Sequence, residues 1–423
     1  MKKGLLLGAG FSFDLGMPLV GELTEVFLSL FDERKIRALA ALLSAQRPYT
    51  PDRPINQNAI TTGLNLLLDY KKNNGSNYEA FLAGLEGQSG LTNPSQSDRD
   101  SYNFLYVIFY DIIHQIFSLY QHASYEIIYV KNRGWFGKLN NLLSEHETWI
   151  FTLNHDLYAE CLALDFGIPI TYGGDQKIQF PVNNLDLTRH IEFTFIEQKR
   201  IHTDTAQFFR NARGINLVKL HGGLSELEYK DQTLLCNLKL DKTSSRELID
   251  DFRLSGEMGY YHQGKRLAGV KDRTITNLSG ELAIISSSMR AGVKKYSETS
   301  KIKEGEEKLM LFDHVLRGLD ELTVIGYGFG DEHVNFRLSN GLLLNDKLRV
   351  VIVDPVFGGT PKCIKQFDYD RRIKTAACGA AQWIDYCKCE KWNYEQIKAL
   401  KENEQFRVEV RERVQSQLNR TFK

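Results

Sequence analysis

The feature that most constrains the fold is a series of short apolar runs, each ending at a glycine or a polar residue. These runs are Lys2–Leu7, Trp149–Leu153, Leu217–Leu220, Leu322–Ile325 and Arg349–Val353. Continuous apolar runs are typical of parallel strands that are buried on both faces, and helical patterns follow several of them. Polar residues at the strand ends then lie along one carboxyl edge, where such sheets bind ligands. The pattern predicts an α/β fold built on a doubly wound parallel sheet.

Two long stretches interrupt this strand and helix pattern. From about residue 22 to 144, apolar residues recur at helical spacing, which predicts a large helical insertion. From about residue 225 to 280 the sequence is polar and has no clear period, which predicts an irregular second insertion. We therefore predict one catalytic domain over residues 1–360. Residues 361–423 form a C-terminal extension with a charged helix at Tyr394–Gln417.

Composition and charge exclude several classes of protein. The 423 residues include 53 basic and 53 acidic side chains, so no global positive charge favours direct binding to nucleic acid or to an anionic membrane. The longest apolar stretch, Phe104–Tyr110, is much shorter than the roughly 20 residues of a membrane helix. The six cysteines form no C-x-x-C pair, which is typical of free cytosolic thiols. We expect a soluble, cytoplasmic protein.

The first predicted strand continues directly into a glycine turn. The turn consists of Gly8, Ala9, Gly10, Phe11 and Ser12. Glycines after a strand allow backbone N–H groups to approach a pyrophosphate closely, and the serine hydroxyl adds a polar contact. The next glycine, Gly16, does not have the G-x-G-x-x-G spacing of dehydrogenases, so a plain strand-to-helix turn is the alternative.

Two further strand ends have side chains suited to chemistry at a ribose. Asn154 and Asp156 follow the second strand, and their spacing projects both from the same edge, where they can contact ribose hydroxyls and a carboxamide. His221 follows the third strand beside two glycines, which suits a general base near a ligand. The alternatives are that Asn154 or Asp156 caps the following helix and that His221 is a structural histidine.

The last two strand ends extend this predicted binding edge. A second glycine-containing turn begins with Gly326 and Tyr327, where an anion can meet a helix N-terminus. Asp331, in the same turn, either contacts the ligand or caps the helix that follows. Asp354 ends the strand Arg349–Val353, where an acidic residue can bind the hydroxyls of an adenosine ribose. The sequence has no carboxylate cluster spaced for two metal ions, which argues against a third reading, nucleic-acid processing. No bound metal is expected.

Four motifs, in this order along the chain, resemble the sirtuin-like (Sir2-like) family. They are G-A-G-x-S from Gly8, T-x-N-x-D from Thr152, H-G from His221 and G-Y-x-F-x-D from Gly326. Phe11 and the stretch from Gly326 to His333 are more similar to the prokaryotic sirtuin-like defence enzymes than to the protein deacylases. The resemblance consists of short, separate motifs spread over about residues 2–360. It implies a Rossmann-like fold.

The resemblance also implies an activity. The substrate would be NAD+, whose nicotinamide–ribose bond would be hydrolysed to give ADP-ribose and nicotinamide, with NAD+ depletion serving anti-phage defence. Asn154 would position the nicotinamide ribose, Asp156 would hold the carboxamide and His221 would be the catalytic base. Because an uncontrolled NAD+ hydrolase would kill its host, control in trans is expected. The control would come from a homo-oligomer or from a partner such as a HerA-like ATPase.

The chain departs from the deacylating sirtuins in ways that argue against an acyl-lysine substrate. Their four-cysteine zinc module is missing, since only Cys236 lies between His221 and residue 360, and an F-G-E motif is absent as well. Met17-Pro18-Leu19-Val20 stands where those enzymes have an arginine, and Gly328 stands where many sirtuin-like relatives have serine. The alternatives are an NAD+-dependent protein deacylase and a non-catalytic subunit that binds NAD+ or ADP-ribose.

Overall fold

The structure is a computed structural model, and the described residues fall into two units. It describes residues 1–45, 55–89, 95–267, 269–291, 306–356, 359–386 and 394–421. The first unit consists of the described parts of residues 1–17, 121–289 and 298–410. The second unit consists of the described parts of residues 18–120, 290–297 and 411–423. Strands and helices are numbered below in chain order.

The first unit contains a seven-stranded sheet in which every neighbouring pair of strands is parallel. Its strands are β1 (Lys3–Leu7), β2 (Glu147–Thr152), β3 (Ile170–Thr171), β6 (Gly214–Lys219), β13 (Glu321–Ile325), β14 (Arg349–Val353) and β15 (Ile373–Ala376). Their order in the sheet is β15-β14-β13-β1-β2-β6-β3. The chain proceeds from β1 to β2 on one side and returns later to β13 on the other side. The predicted α/β fold with a Rossmann-like parallel sheet is therefore confirmed.

The helices of the first unit lie between these strands along the chain or follow the last of them. They are α1 (Ala9–Phe13), α7 (Val130–Asn132), α8 (Tyr158–Asp165), α9 (Ser245–Glu257), α10 (Glu307–Leu316), α11 (Glu332–Leu344), α12 (Ala380–Tyr386) and most of α13 (Tyr394–Thr421). A π-helical segment, Tyr125–Tyr129, precedes α7. Short 3-10 turns span Arg133–Phe136, Leu139–Leu142, Gln198–Arg200 and Lys362–Phe367. The Phe312 ring of α10 packs on the Phe151 ring of β2, with ring centroids 4.7 Å apart.

A second sheet in the first unit has six antiparallel strands. They are β4 (Gln176–Asn183), β5 (Asp186–Glu197), β7 (Glu226–Tyr229), β8 (Leu234–Leu238), β11 (Asp272–Thr276) and β12 (Leu282–Ser287), in the order β11-β12-β7-β8-β5-β4. Two short strands, β9 (Tyr261–His262) and β10 (Lys265–Arg266), form a separate antiparallel pair. The stretch 225–280, expected to be irregular, therefore contains strands and the helix α9. Its strands have only two to five residues each, which is too short for their alternation to produce a clear period in the sequence.

The second unit is helical, as the apolar spacing indicates. Its described helices are α2 (Val20–Ser29), α3 (Glu33–Ala45), α4 (Gln57–Lys72), α5 (Tyr78–Ser89) and most of α6 (Gln96–Ser124). A cluster of phenylalanine rings forms its core, with edge-to-face contacts of Phe27 and Phe31 on Phe109. The sequence also predicts a polar loop at Leu91–Arg99; residues 91–94 lie outside the described residues, and α6 begins at Gln96 within the predicted loop. Among the described helices, none combines the length and the apolar character that crossing a bilayer requires.

Candidate functional site

Four of the predicted strand ends are neighbours in the parallel sheet. Leu7, the last residue of β1, pairs with Ile325 of β13 on one side and with Thr152 of β2 on the other. Thr152 in turn pairs with Lys219 of β6. The residues that follow these positions therefore lie side by side along one carboxyl edge. Because the strand order reverses between β1 and β13, this edge includes the topological switch point, where open α/β sheets bind ligands.

The two glycine turns contact each other through their backbones. The Gly10 N–H donates a hydrogen bond to the Gly326 carbonyl at 2.9 Å. Gly326 has a φ of +64°, and a Cβ added there would collide with the backbone of Gly10. A Cβ on Gly8 would lie 2.5 Å from the Gly326 carbonyl oxygen. The sequence needs glycine at these positions because the ends of β1 and β13 approach more closely than side chains allow.

Asn154 is held at the end of β2 by the first glycine turn. Its side-chain Nδ2 donates to the Gly8 carbonyl at 2.9 Å and to the Ser12 Oγ at 3.0 Å. The carbonyl acceptor can pair only with the NH2 end of the amide, which fixes the orientation of the side chain. Both amide hydrogens are thereby used, and Oδ1 is the polar atom of Asn154 that remains to accept a bond from a ligand or a water molecule.

Ser12 connects Asn154 to Asp156. The Ser12 side chain is buried and hydrogen-bonds the Asp156 carboxylate. Asp156 also accepts a hydrogen bond from the Tyr158 backbone N–H at 2.9 Å, at the start of α8. The N-cap position of α8 is Leu157, so Asp156 bonds the first turn of the helix from one residue earlier and also joins the network around Asn154. Burial raises the pKa of Asp156 above its usual value, while the Tyr158 N–H and the nearby Lys219 oppose that rise.

Lys219, the last residue of β6, bonds to the residues that follow β2. Its side chain is fully buried, and its Nζ lies 2.7 Å from Glu160 Oε1 and donates to the Asp156 carbonyl at 2.6 Å. The Tyr172 hydroxyl donates to the same Glu160 oxygen at 2.7 Å. A buried charge pair with these additional bonds fixes the backbone that presents Asn154 and Asp156. Lys219 was not predicted as a site residue, although a lysine in the last position of an apolar strand is an observable signal.

His221 lies directly after β6 and is 2% exposed. Its Nε2 lies 3.2 Å from Nε2 of His333 and 3.8 Å from Oδ1 of Asp331. The next residue, Gly222, has a φ of +69°, and a Cβ there would collide with Ser288. His333 was not predicted as a site residue. Its two-residue separation from Asp331 in a glycine-containing turn is the signal that could have identified it.

Tyr327 and Asp331 have different positions in the second turn. Tyr327 is buried, and its hydroxyl lies 3.0 Å from Asn335 Oδ1 and accepts a bond from the Asp331 N–H at 3.2 Å. The buried Tyr327 hydroxyl therefore links Asp331 to Asn335 and stabilises the turn. Asp331 occupies the N-cap position of α11, but its side chain makes no capping hydrogen bond. Its carboxylate approaches His221 instead.

Asp354 lies farther along the edge, at the end of β14. Its Oδ1 accepts a hydrogen bond from the Val356 N–H at 2.8 Å, so it closes its own turn. Because β13 lies between β14 and β1, Asp354 is about two strand spacings, or roughly 10 Å, from the end of β1. The structure therefore groups Gly8, Gly10, Ser12, Asn154 and Asp156 closely and leaves Asp354 apart from them.

The C-terminal extension contacts the last residue of α1 and the residues that follow it. The Arg407 guanidinium of α13 donates to the carbonyls of Phe13 at 2.8 Å and Met17 at 3.2 Å, and it lies over the Phe13 ring. The Ala381 N–H donates to Asp14 Oδ2 at 3.0 Å, and burial raises the pKa of Asp14. These contacts hold the C-terminal end of α1. They were not predicted, because a charged helix pattern does not indicate which carbonyls its arginines contact.

Two cavities in the first unit lie away from this edge. One, of about 520 Å³, is lined by Ile168–Tyr172 and by Lys239–Lys242. The other, of about 220 Å³, lies near the first residues of β1 and β2, where Lys3 and Trp149 contribute to its wall. Neither cavity is lined by a predicted site residue, so the carboxyl edge remains the candidate site on the basis of its hydrogen bonds and its place in the sheet.

No protein-family model matches the chain, and no curated protein matches its sequence. Among solved structures, the chain is similar to one from work on the mechanism and regulation of Sir2 enzymes, with 10% sequence identity and a TM-score of 0.31. The likeness covers 95% of this chain and 93% of that chain.

Proposed function

We propose that this chain hydrolyses the nicotinamide–ribose bond of NAD+ to give ADP-ribose and nicotinamide. The observation that carries the proposal is the pairing of Thr152 with Lys219. Asn154 and His221 each follow one of these paired residues by two positions. An oriented amide and an imidazole therefore leave adjacent strands at the carboxyl edge, next to a glycine turn and beside the topological switch point.

Asn154 is proposed to position the reacting ribose or the attacking water. Its two N–H groups are committed to Gly8 and Ser12, so its Oδ1 can accept a hydrogen bond from a ribose hydroxyl or from water. An acceptor whose orientation is fixed before the ligand arrives lowers the cost of ordering the reactants. Asp156, joined to the same Ser12, is proposed to contact the carboxamide of nicotinamide.

His221 is proposed to act as the general base. As nicotinamide leaves with the electrons of the C–N bond, the ribose carbon acquires oxocarbenium character, as in glycoside hydrolysis. A water molecule then attacks that carbon and transfers a proton to His221. The products are ADP-ribose, nicotinamide and one proton. Asp331, 3.8 Å from Nε2, would stabilise the imidazolium that forms.

The remaining candidates are proposed to bind the rest of the dinucleotide. In the first glycine turn, the N–H groups of Gly8, Gly10 and Phe11 bond to backbone carbonyls, so we propose that the pyrophosphate meets the backbone at Ala9, the first residue of α1. Ala9 is exposed and Gly10 is half-buried, so this turn is open to a ligand. Asp354 is proposed to bind the adenosine ribose from its position two strands away. All of these residues belong to the first unit, and we propose the catalytic domain within residues 1–360.

The test is nicotinamide release from NAD+, measured by chromatography for the full chain. His221→Ala is expected to lower the rate by about 10²–10⁴-fold, the usual range for losing a general acid–base group. Asn154→Ala is expected to lower it by about 10²-fold, because the reactants lose their alignment. His190→Ala is the matched control, because His190 is an exposed histidine on β5, away from the edge. Release that survives both site substitutions would contradict the proposal. NAD+ binding without any release would favour the non-catalytic binding subunit.

The proposed role is NAD+ depletion in anti-phage defence under control in trans. This part depends on the sequence resemblance and on the need to restrain such an activity. We propose a homo-oligomer or a HerA-like ATPase partner as the source of control. Gel filtration of the protein alone and release assays with and without a co-expressed ATPase would test it. A fully active monomer would contradict it.

A further inference from the structure

A buried cluster of three possible metal ligands lies at the carboxyl edge of the parallel sheet. His221 follows β6, Asp331 stands at the N-cap of α11, and His333 is the second residue of α11. One ligand atom from each side chain lies within 4.8 Å of the others. Since β1 and β2 lie between β13 and β6, the loops after β13 and β6 must approach each other beyond the ends of those two strands.

The distances in the cluster match those between ligands that share one ion. Zinc binds imidazole nitrogen and carboxylate oxygen at about 2.0–2.2 Å, so two ligands of one tetrahedral ion lie roughly 3.3–3.6 Å apart. The His221 and His333 Nε2 atoms are 3.2 Å apart, and Asp331 Oδ1 is 3.8 Å from the former. These two separations therefore differ from the ideal by only a few tenths of an ångström, and the third, between Asp331 and His333, is within 4.8 Å.

The donor set and its surroundings also suit such an ion. Two imidazoles and one carboxylate are borderline and hard ligands, a combination that proteins use for zinc, iron and cobalt and not for magnesium or calcium. Both histidines are at least 95% buried, while the Asp331 side chain is 14% exposed. The buried pair can hold the ion, and the side on which Asp331 meets solvent provides access.

We propose that His221, Asp331 and His333 bind one divalent transition-metal ion of the zinc class. Three protein ligands leave a fourth position for water or a small molecule. The inference does not depend on the proposed hydrolase. A bound metal would nevertheless affect the proposed hydrolase, because a metal at His221 Nε2 occupies the lone pair that a general base needs. A chain loaded with Zn2+ is therefore expected to release nicotinamide more slowly than the same chain treated with a chelator.

The experiment is a titration of the metal-stripped full chain with Co2+, followed by visible absorption, and with Zn2+, followed by calorimetry. One ion is expected per chain, with the d–d bands of four- or five-coordinate Co2+ and no heat from Mg2+. His333→Gln and Asp331→Asn should each weaken binding by at least about 100-fold, because even residues that only support a ligand contribute 10- to 100-fold. His190→Ala is the control and should bind as the unchanged chain does.

Two results would overturn the metal site. One is the absence of Co2+ bands at a tenfold excess of metal, which would make the 3.2 Å contact a hydrogen bond between two imidazoles. The other is equally tight binding by the folded His333→Gln chain, with folding verified by circular dichroism. The two proposals can fail separately. Stoichiometric Zn2+ binding that depends on His333, without nicotinamide release at any metal level, supports the metal site and contradicts the hydrolase.

Discussion

The two sheets of the first unit differ in where their polar residues lie. In the parallel sheet, every residue of β6 is buried, and Asn154 and His221 of the candidate site follow the carboxyl ends of β2 and β6. In the antiparallel sheet, polar residues also lie along the strands, and the start of β5, Asp186–His190, is exposed. A strand enclosed on both faces has a rigid end, and such an end can present Asn154 or His221 in one orientation. The candidate site therefore lies on the sheet that gives its side chains the least freedom.

The sheets also differ in how far their lysine–glutamate ion pairs are buried. The Lys219–Glu160 pair of the parallel sheet has no exposed side-chain surface, and the Tyr172 hydroxyl donates an additional hydrogen bond to Glu160. The Lys177–Glu192 pair of the antiparallel sheet has 60% and 27% of its side-chain surface exposed, and Lys239 shares Glu192. Burial changes what one substitution does, because a buried carboxylate without its partner loses both its hydration and its ion pair.

The largest expected effect is the contrast between Lys219→Met and Lys177→Met. Lys219→Met should lower the free energy of unfolding by about 3–5 kcal/mol, since it leaves Glu160 charged and buried. Lys177→Met should change it by less than about 1 kcal/mol, because the pair is exposed and Lys239 remains. Urea unfolding followed by circular dichroism measures both.

A second substitution separates the loss of the pair from the loss of packing. In the double variant Lys219→Met, Glu160→Gln, no charge is buried, and most of the lost stability should return. Equal losses of unfolding free energy for Lys219→Met and Lys177→Met would contradict the contrast between the two sheets. A double variant no more stable than Lys219→Met alone would contradict the unpaired charge of Glu160 as the cause of the loss.

The next effect concerns the backbone contact at the switch point. Gly326→Ala should destabilise the first unit by roughly 3 kcal/mol, because it combines a positive φ with a collision against Gly10. Gly328→Ala is the matched control. Gly328 is in the same turn, is exposed and has open space around a Cβ, so its substitution should have little effect. The midpoint of urea unfolding measures both variants. Equal midpoints for the two alanine variants would mean that the two turns can separate without cost.

Sequence patterns predicted the parallel sheet well for a physical reason. Strands enclosed by helices are continuous apolar runs, so β1 and β14 were located to within one residue. The same rule fails for β3, which has two residues, and for the hairpin of β4 and β5, whose long exposed segments carry mixed polar side chains. A short or half-exposed strand is stabilised by its neighbours, and those neighbours are not visible in its own sequence.

The candidate site was predictable to the extent that it depends on strand ends. Parallel strands place their carboxyl ends on one edge, so Gly8, Asn154 and His221 could be grouped from sequence alone. The contact of His221 with His333 joins residues 112 positions apart, and it depends on the order of the strands and on the path of two loops. The orientation of Asn154 likewise depends on the Gly8 carbonyl, which no pattern around Asn154 reveals.

The smallest expected effect tests the exposed face of the antiparallel sheet. Leu282 and Ile284 of β12 point to the same side and are 66% and 63% exposed. Ile284→Thr should change the free energy of unfolding by less than about 0.5 kcal/mol, since threonine also favours strands and little apolar surface is lost. Ile352→Thr on β14 of the parallel sheet, where the isoleucine is 1% exposed, should cost about 2 kcal/mol or more, because it removes buried methylenes and buries a hydroxyl.

The same change at two strand positions thus isolates burial as the variable, and urea unfolding of both variants measures it. A loss above about 1 kcal/mol for Ile284→Thr would show that the Leu282–Ile284 face is covered in the folded protein in solution. That result would remove the contrast between the sheets at this position, since β12 would then be enclosed as the strands of the parallel sheet are. A loss near zero, beside a large loss for Ile352→Thr, would extend the contrast from charged pairs to apolar side chains.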